Sequence, residues 1–175
     1  VLPTYCVYSF KAVKGNSNES VGEISSAEIL WETYNTLEDV IPGTVVKSVS
    51  IEGGHLVFEI PQDAKAGNAL IAVKDAAGVI LWSWHIWVTN GEPREETITL
   101  NGEEMMNRNL GAFTNSNGST DGAEIFRSYG MYYQWGNKNP FVGPQRYNFP
   151  GNHDDSLYDD IDFDIYLNYE ASSAK

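Results

Sequence analysis

A chain of 175 residues, 42% of them hydrophobic, is long enough for one large domain or two small ones and can bury a core without a disulfide or metal staple. Acidic residues outnumber basic ones 24 to 11, the formal charge is −13, and the cations form no basic stripe, so long-range repulsion argues against a nucleic-acid partner. A single cysteine excludes an intrachain disulfide, and no window of about 18 consecutive apolar residues is present to span a membrane as a helix.

The chain opens on Val1 with neither an initiator methionine nor the basic and apolar regions of a signal peptide, so a processed or trimmed chain is expected, its targeting sequence gone. Cys6 reads as an inert thiol in a strand. A lipid anchor there would need small residues before it, and Pro3-Thr4-Tyr5 are bulky. Tyr5 to Val13 alternates as a first strand and leads into a polar loop, Gly15 to Ser20. Ala27 to Tyr34 fits two patterns. Ser25 with Glu28 makes a capping box, and Leu30, Tyr34, Leu37 and Ile41 keep helical spacing, while Ala27, Ile29, Trp31 and Thr33 keep period two. Strand is preferred, because the neighbouring elements are strands.

Pro42-Gly43 punctuates the chain, and Thr44 to Ile51 and His55 to Ile60 flank Gly53-Gly54 as a hairpin. Ala69 to Lys74 and Val79 to Val88 form a second hairpin across Asp75-Ala76-Ala77-Gly78. Its second strand holds three of the five tryptophans and no charge, which predicts that it forms the centre of a sandwich core. Successive short strands joined by tight turns predict a mainly β fold, with an antiparallel β-sandwich domain over residues 1–91.

Asn90 to Glu96 marks a boundary where turn formers and charges replace the apolar run. Residues 92–175 are expected to form a smaller α+β segment, packed against or tethered to the first. In it, Thr97 to Leu100 is a strand, Asn101-Gly102 a turn, Met105 to Leu110 a short apolar element and Asn115 to Thr120 a polar loop. Asp121, with Glu124 three residues on, caps a helix expected to run through Ile125, Tyr129, Tyr132 and Tyr133 to Trp135, where Gly136 and Pro140 stop it. Ile161, Phe163, Ile165, Leu167 and Tyr169 alternate with Asp162, Asp164, Tyr166 and Asn168, the pattern of an edge strand with a wet acidic face.

Tyr8 to Ser17, Gly67 to Val73, Ile80 to Trp87, Met106-Asn107-Arg108-Asn109-Leu110-Gly111-Ala112 and Tyr132 to Phe141 together resemble a surface-protein module of Bacteroidales, of the fimbrillin-like and Fibrobacter succinogenes major paralogous domain type. The resemblance runs in order through most of residues 5–143. It implies a non-enzymatic protein, extracellular or on the outer-membrane surface of a Gram-negative bacterium, that contributes to adhesion or to a fimbria-like assembly. Asn109-Leu110 and Tyr133-Gln134-Trp135 also resemble the opening of a C-type-lectin-like domain. The chain departs from these patterns in the compressed start, with Cys6 close before Tyr8, and in lacking the later Gly-Trp/Tyr-x-Val-Pro segment. The second domain is therefore expected to be incomplete.

Two functions follow as expectations. The first is adhesion or assembly with other fimbrial or surface subunits. The second is glycan binding, with calcium as a candidate cofactor. For the second, Trp135, Tyr132 and Tyr133 beside Asn137 and Asn139 offer rings and amides of the kind that hold a sugar, although packing of a helix on a core uses the same rings. Trp82 and Trp84 share a face with Ile80 and Ile86 and read as core, whereas Trp87 shares its face with Ser83 and His85 and is expected to be partly exposed. Asp159, Asp160, Asp162 and Asp164, with Asp154 and Asp155, supply hard oxygen ligands for calcium, yet no Asp-x-Asp-x-Asp-Gly loop gathers them, and a solvated face explains them as well. Asp155-Ser156-Leu157 resembles the short O-glycosylation motif of secreted Bacteroidales proteins. Catalysis is not expected: His55, His85 and His153 sit in a hairpin, a strand and a loop, with no His-Glu-x-x-His, no Gly-x-Ser-x-Gly and no partner for the cysteine.

Overall fold

The computed structural model describes residues 6–15, 17–34 and 41–141. β1 (Cys6–Lys11), β4 (His55–Ile60) and β3 (Ser48–Glu52) form one antiparallel sheet in the order β1-β4-β3. A second takes β2 (Ser26–Tyr34), β5 (Gly67–Lys74) and β6 (Ile80–Val88) in the order β2-β5-β6. Turn chemistry sets both hairpins. Gly53 and Gly54 take φ of 57° and 79°, and the Asp75 carboxylate accepts from Ala77 N and Val79 N at 2.9 Å each.

The two sheets meet face to face. Leu56, Phe58 and Ile60 of β4 share one cluster with Ala69, Ile71 and Val73 of β5, joined by Tyr34, Val45 and Val46. Phe10 of β1 stands edge-on to Trp84 of β6 with ring centroids 5.3 Å apart. The described residues are thus mainly β, built as an antiparallel sandwich, as the alternation predicts. Each large side chain fully buried at this interface contributes roughly 1.5–3 kcal/mol.

The centre of the fold is β5, which is buried along nearly its whole length. This corrects the expectation for the tryptophan-rich strand: among the described residues β6 lies at the edge of its sheet and is only half-buried. Trp82 and Trp84 do face the core, as expected. A bulge also changes β2. Ile29 pairs with Ile71 but Trp31 pairs with Leu70, so Leu30 is the extra residue and the faces swap beyond it. Ile29 consequently packs on the core between the sheets, while Trp31 turns to the opposite face.

The second segment opens with a hairpin, β7 (Thr97–Leu100) and β8 (Glu103–Met106), turned by Asn101 and Gly102 at φ of 53° and 86°. The apolar element expected at Met105 to Leu110 is therefore displaced, with Met105 and Met106 on a strand and exposed. Asp121 caps α1 (Gly122–Arg127) as predicted, its carboxylate accepting from Ala123 N at 2.8 Å. The helix does not continue to Trp135. Gly130 passes so close to Leu110 O that a Cβ would lie 2.4 Å from it, Met131 is buried, and Tyr132–Tyr133 form β9, paired with β10 (Pro140–Phe141). A helix through this point would lift Met131 off the sheet. The strand expected at Ile161 to Tyr169 and the Asp155-Ser156-Leu157 motif lie outside the described residues.

Between β2 and β3, one carboxylate organises the described residues 41–47. Glu32 accepts from Gly43 N at 2.5 Å, Val45 N at 2.9 Å and Val46 N at 2.8 Å. Beside it, the Tyr34 hydroxyl accepts from Ile41 N at 3.0 Å and meets the Thr44 hydroxyl. Glu32→Ala leaves these N–H groups without their acceptor and is expected to cost about 2 kcal/mol, read as a lower urea midpoint at unchanged slope. Glu32→Gln would recover only part of this, since one amide end presents N–H to N–H; full recovery would show that the carboxylate is not the organising group.

Candidate functional site

The outer face of the second sheet, turned away from the sandwich core, presents Trp31, Thr33, Asn68, Leu70, Ser83 and His85. Residues from the second segment cover it. Met131 packs with Trp31 and Leu70, with Leu30 and Phe141 around them. Gly111 is required where the covering chain meets the sheet, because its φ is 85° and a Cβ there would lie 2.7 Å from Met131 and 3.0 Å from the Asn68 amide oxygen.

Asn68 has no solvent exposure and sits at the heart of this contact. Its amide nitrogen donates to Gly111 O at 3.0 Å, which orients the amide and leaves Oδ1 facing His85 Nε2 at 2.8 Å. His85 Nε2 therefore carries the proton, and Nδ1 accepts from the Tyr133 hydroxyl at 2.9 Å. Burial depresses the His85 pKa to about 4 and pushes the Tyr133 hydroxyl up to about 12, so both stay neutral near pH 7. This chain of hydrogen bonds ties β5, β6 and β9 to the loop at Gly111.

A second tie lies at the β9–β10 turn. Lys138 Nζ donates to Ser83 O at 3.1 Å, to Ser83 Oγ at 2.6 Å and to Asn139 Oδ1 at 2.6 Å, and sits 4.4 Å from the centroid of the Trp82 ring. Burial lowers its pKa to about 8. Because the Ser83 carbonyl accepts from Lys138, it points away from β5. Antiparallel alternation then directs the main-chain groups of His85 and Trp87 outward in the same way.

That outward edge of β6 borders a groove of about 780 Å³. Its apolar walls are Tyr8, Phe58 and Ile60 from the first sheet and Ile86 and Val88 from the second. Tyr8 lies stacked on Phe58 with centroids 5.2 Å apart, yet remains 45% exposed. An aromatic ring on core-facing strand positions that is nearly half in water marks a place where the sandwich lacks cover. Among the described residues β1 pairs only with β4 and β6 only with β5, so the groove runs between two free strand edges.

The residues singled out in the sequence do not form one site. Trp135 is 100% exposed at the turn tip, and Tyr132 is 57% exposed. Tyr133 and Asn139 are committed to His85 and to Lys138 and Ser83, and Asn137 Oδ1 accepts from Asn139 N at 3.0 Å. Trp87 is half-buried and lines the groove instead. Asp159, Asp160, Asp162 and Asp164 lie outside the described residues, as does His153. Among the described residues no group of three or more His, Cys, Asp or Glu side chains converges to hold a metal ion, and no helix is long and apolar enough to cross a membrane. Sequence reasoning missed the groove and Asn68. A polar residue inside the apolar run Gly67 to Val73 was the one available signal for the latter. No family model, curated protein or solved structure matches the chain.

His85 makes the attachment of the covering layer pH-dependent. Its folded pKa of about 4 lies below the unfolded value of 6.5, so between these pH values the unfolded chain takes up a proton that the folded chain refuses. Stability should fall as pH drops from 6.5 to 4, by on the order of 3 kcal/mol from this group. Urea midpoints of the native chain and of His85→Gln across that range test it: the gap between them should close toward pH 4, and a constant gap would show that His85 does not titrate as described.

Proposed function

We propose that the chain is a non-enzymatic structural component of a bacterial surface, and that it assembles with other subunits by receiving a β-strand in the groove between β1 and β6. The observation that carries this reading is the groove itself, with apolar walls and an edge at His85 and Trp87 that no strand pairs among the described residues. Main-chain hydrogen bonds to such an edge supply affinity for any extended segment, and alternate side chains entering the groove supply specificity. The occupant is an extended segment that is apolar on one face and acidic on the other, the pattern of Ile161 to Tyr169 in this sequence. Its apolar residues match the apolar wall of Phe58, Ile60 and Ile86, and its acidic face would turn to water. The donor is thus a second copy or a related subunit.

The resemblance to fimbrillin-like Bacteroidales modules supports an extracellular or outer-membrane location and an assembly role. The two described histidines support a non-catalytic reading. His85 is hydrogen-bonded at both ring nitrogens, and exposed His55 has Gly53 O as its neighbour at 3.3 Å.

The test uses the full chain with Ile161, Phe163, Ile165 and Leu167 replaced by serine, so that its own segment cannot compete. A labelled peptide of residues 159–170 is expected to bind saturably, and Ile86→Arg should weaken it at least about tenfold by placing a charge on the groove wall. A peptide with the same composition but broken alternation should not bind. Equal binding of both peptides, or none by the folded chain, would overturn the proposal.

A further inference from the structure

Trp135 poses a separate question, because nothing in the groove reading uses it. Burying an indole removes a large apolar surface from water, and Trp135, at 100% exposure, gains nothing from that. The indole does not sit on a loose loop. Asn137 N donates to Gln134 O at 2.9 Å to close the turn, with Gly136 at φ 79°. Behind the tip, Lys138 and Asn139 are bonded to Ser83, Tyr133 to His85, and Pro140 is fully buried. The fold therefore holds a bare indole out on an anchored turn, with Tyr132 also largely exposed and the exposed Gln134 amide next to it.

We infer that this tip is a carbohydrate-stacking site, that its ligand is a neutral glycan, and that it works without a metal ion. A sugar ring presents a C–H face that covers an indole and hydroxyls that pair with amides, so Trp135 supplies the stacking face and Gln134 the polar contact. Anchoring of the turn means little conformational freedom is lost on binding. The net charge of −13 disfavours sialylated or sulfated glycans at long range. Residues 132–139 contain no carboxylate from which a calcium site could be built at the tip. Of the site residues expected from the sequence this keeps Trp135 and Tyr132, and it adds Gln134. Tyr133 and Asn139 become its anchors.

The full chain is screened on an array carrying neutral, sialylated and sulfated oligosaccharides, with calcium and with a chelator. Saturable binding to neutral glycans is expected, unchanged by chelator. Trp135→Ala should weaken it about tenfold or more and Trp135→Phe by less, both with an unchanged urea midpoint because the ring is fully exposed. Trp87→Ala should leave it unaltered, which separates this site from the groove. A blank array, preference for acidic glycans, loss in chelator, or binding indifferent to Trp135→Ala would each overturn the inference. So would a Trp135-dependent interaction with a peptide or protein alone.

Discussion

A strand buried on both faces needs a layer on each side, and that requirement at β5 governs the rest of the molecule. Ala69, Ile71 and Val73 face the first sheet, which supplies the apolar contact they need. Asn68 and Leu70 face the other way, and an uncovered sheet would leave Leu70 in water. Residues from the loop at Gly111 to β10 form the second cover. Covering Asn68 would cost more than it gains if its amide were left unpaired, so the hydrogen bonds to Gly111 and His85 are conditions of closure. The covering layer is small, and its attachment relies on these polar ties as much as on Met131.

The same constraint explains where the molecule stays open. Lys138 occupies the β6 edge at Ser83 and so protects it, as an edge lysine does in many sheets. Toward His85 and Trp87 no strand pairs with the edge among the described residues, and there Tyr8 lies half in water over the buried Phe58. The end of β6 away from Lys138 is where we propose that a partner strand is received. The turn tip follows from the anchoring as well, since the bonds that fasten β9 and β10 to the sheet also project Trp135 outward.

Much of the first sheet pair was legible because period-two alternation and Gly turns act locally. The Gly53-Gly54 and Asp75 to Gly78 turns name their own hairpins, and Asp121 names its own helix start. What was not legible depended on packing across the chain. The extra residue Leu30 cannot be seen in a window, since it swaps faces only relative to Leu70 and Ile71. The tyrosine pair of β9 kept helical spacing with Ile125 and Tyr129, yet the close approach of Gly130 to Leu110 decided against a helix. For the site, the sequence left the Trp135 ring open to a sugar or to the core; the ring is exposed, while Tyr133 and Asn139 turn inward as fastenings. The groove arises from where two distant strands stop covering one another, which no local pattern encodes.

The most direct measurement of the central claim is amide hydrogen exchange along β6, in the full chain with its own 161–169 segment disabled, before and after addition of an excess of the 159–170 peptide. If the groove receives a strand, the amides of His85 and Trp87 exchange rapidly in the free chain and become protected with the peptide bound, while Trp84 and Ile86, already paired with β5, change little. Unaltered exchange at His85 and Trp87 in a chain that demonstrably holds the peptide would contradict the account, because the segment would then be bound elsewhere than at the open edge.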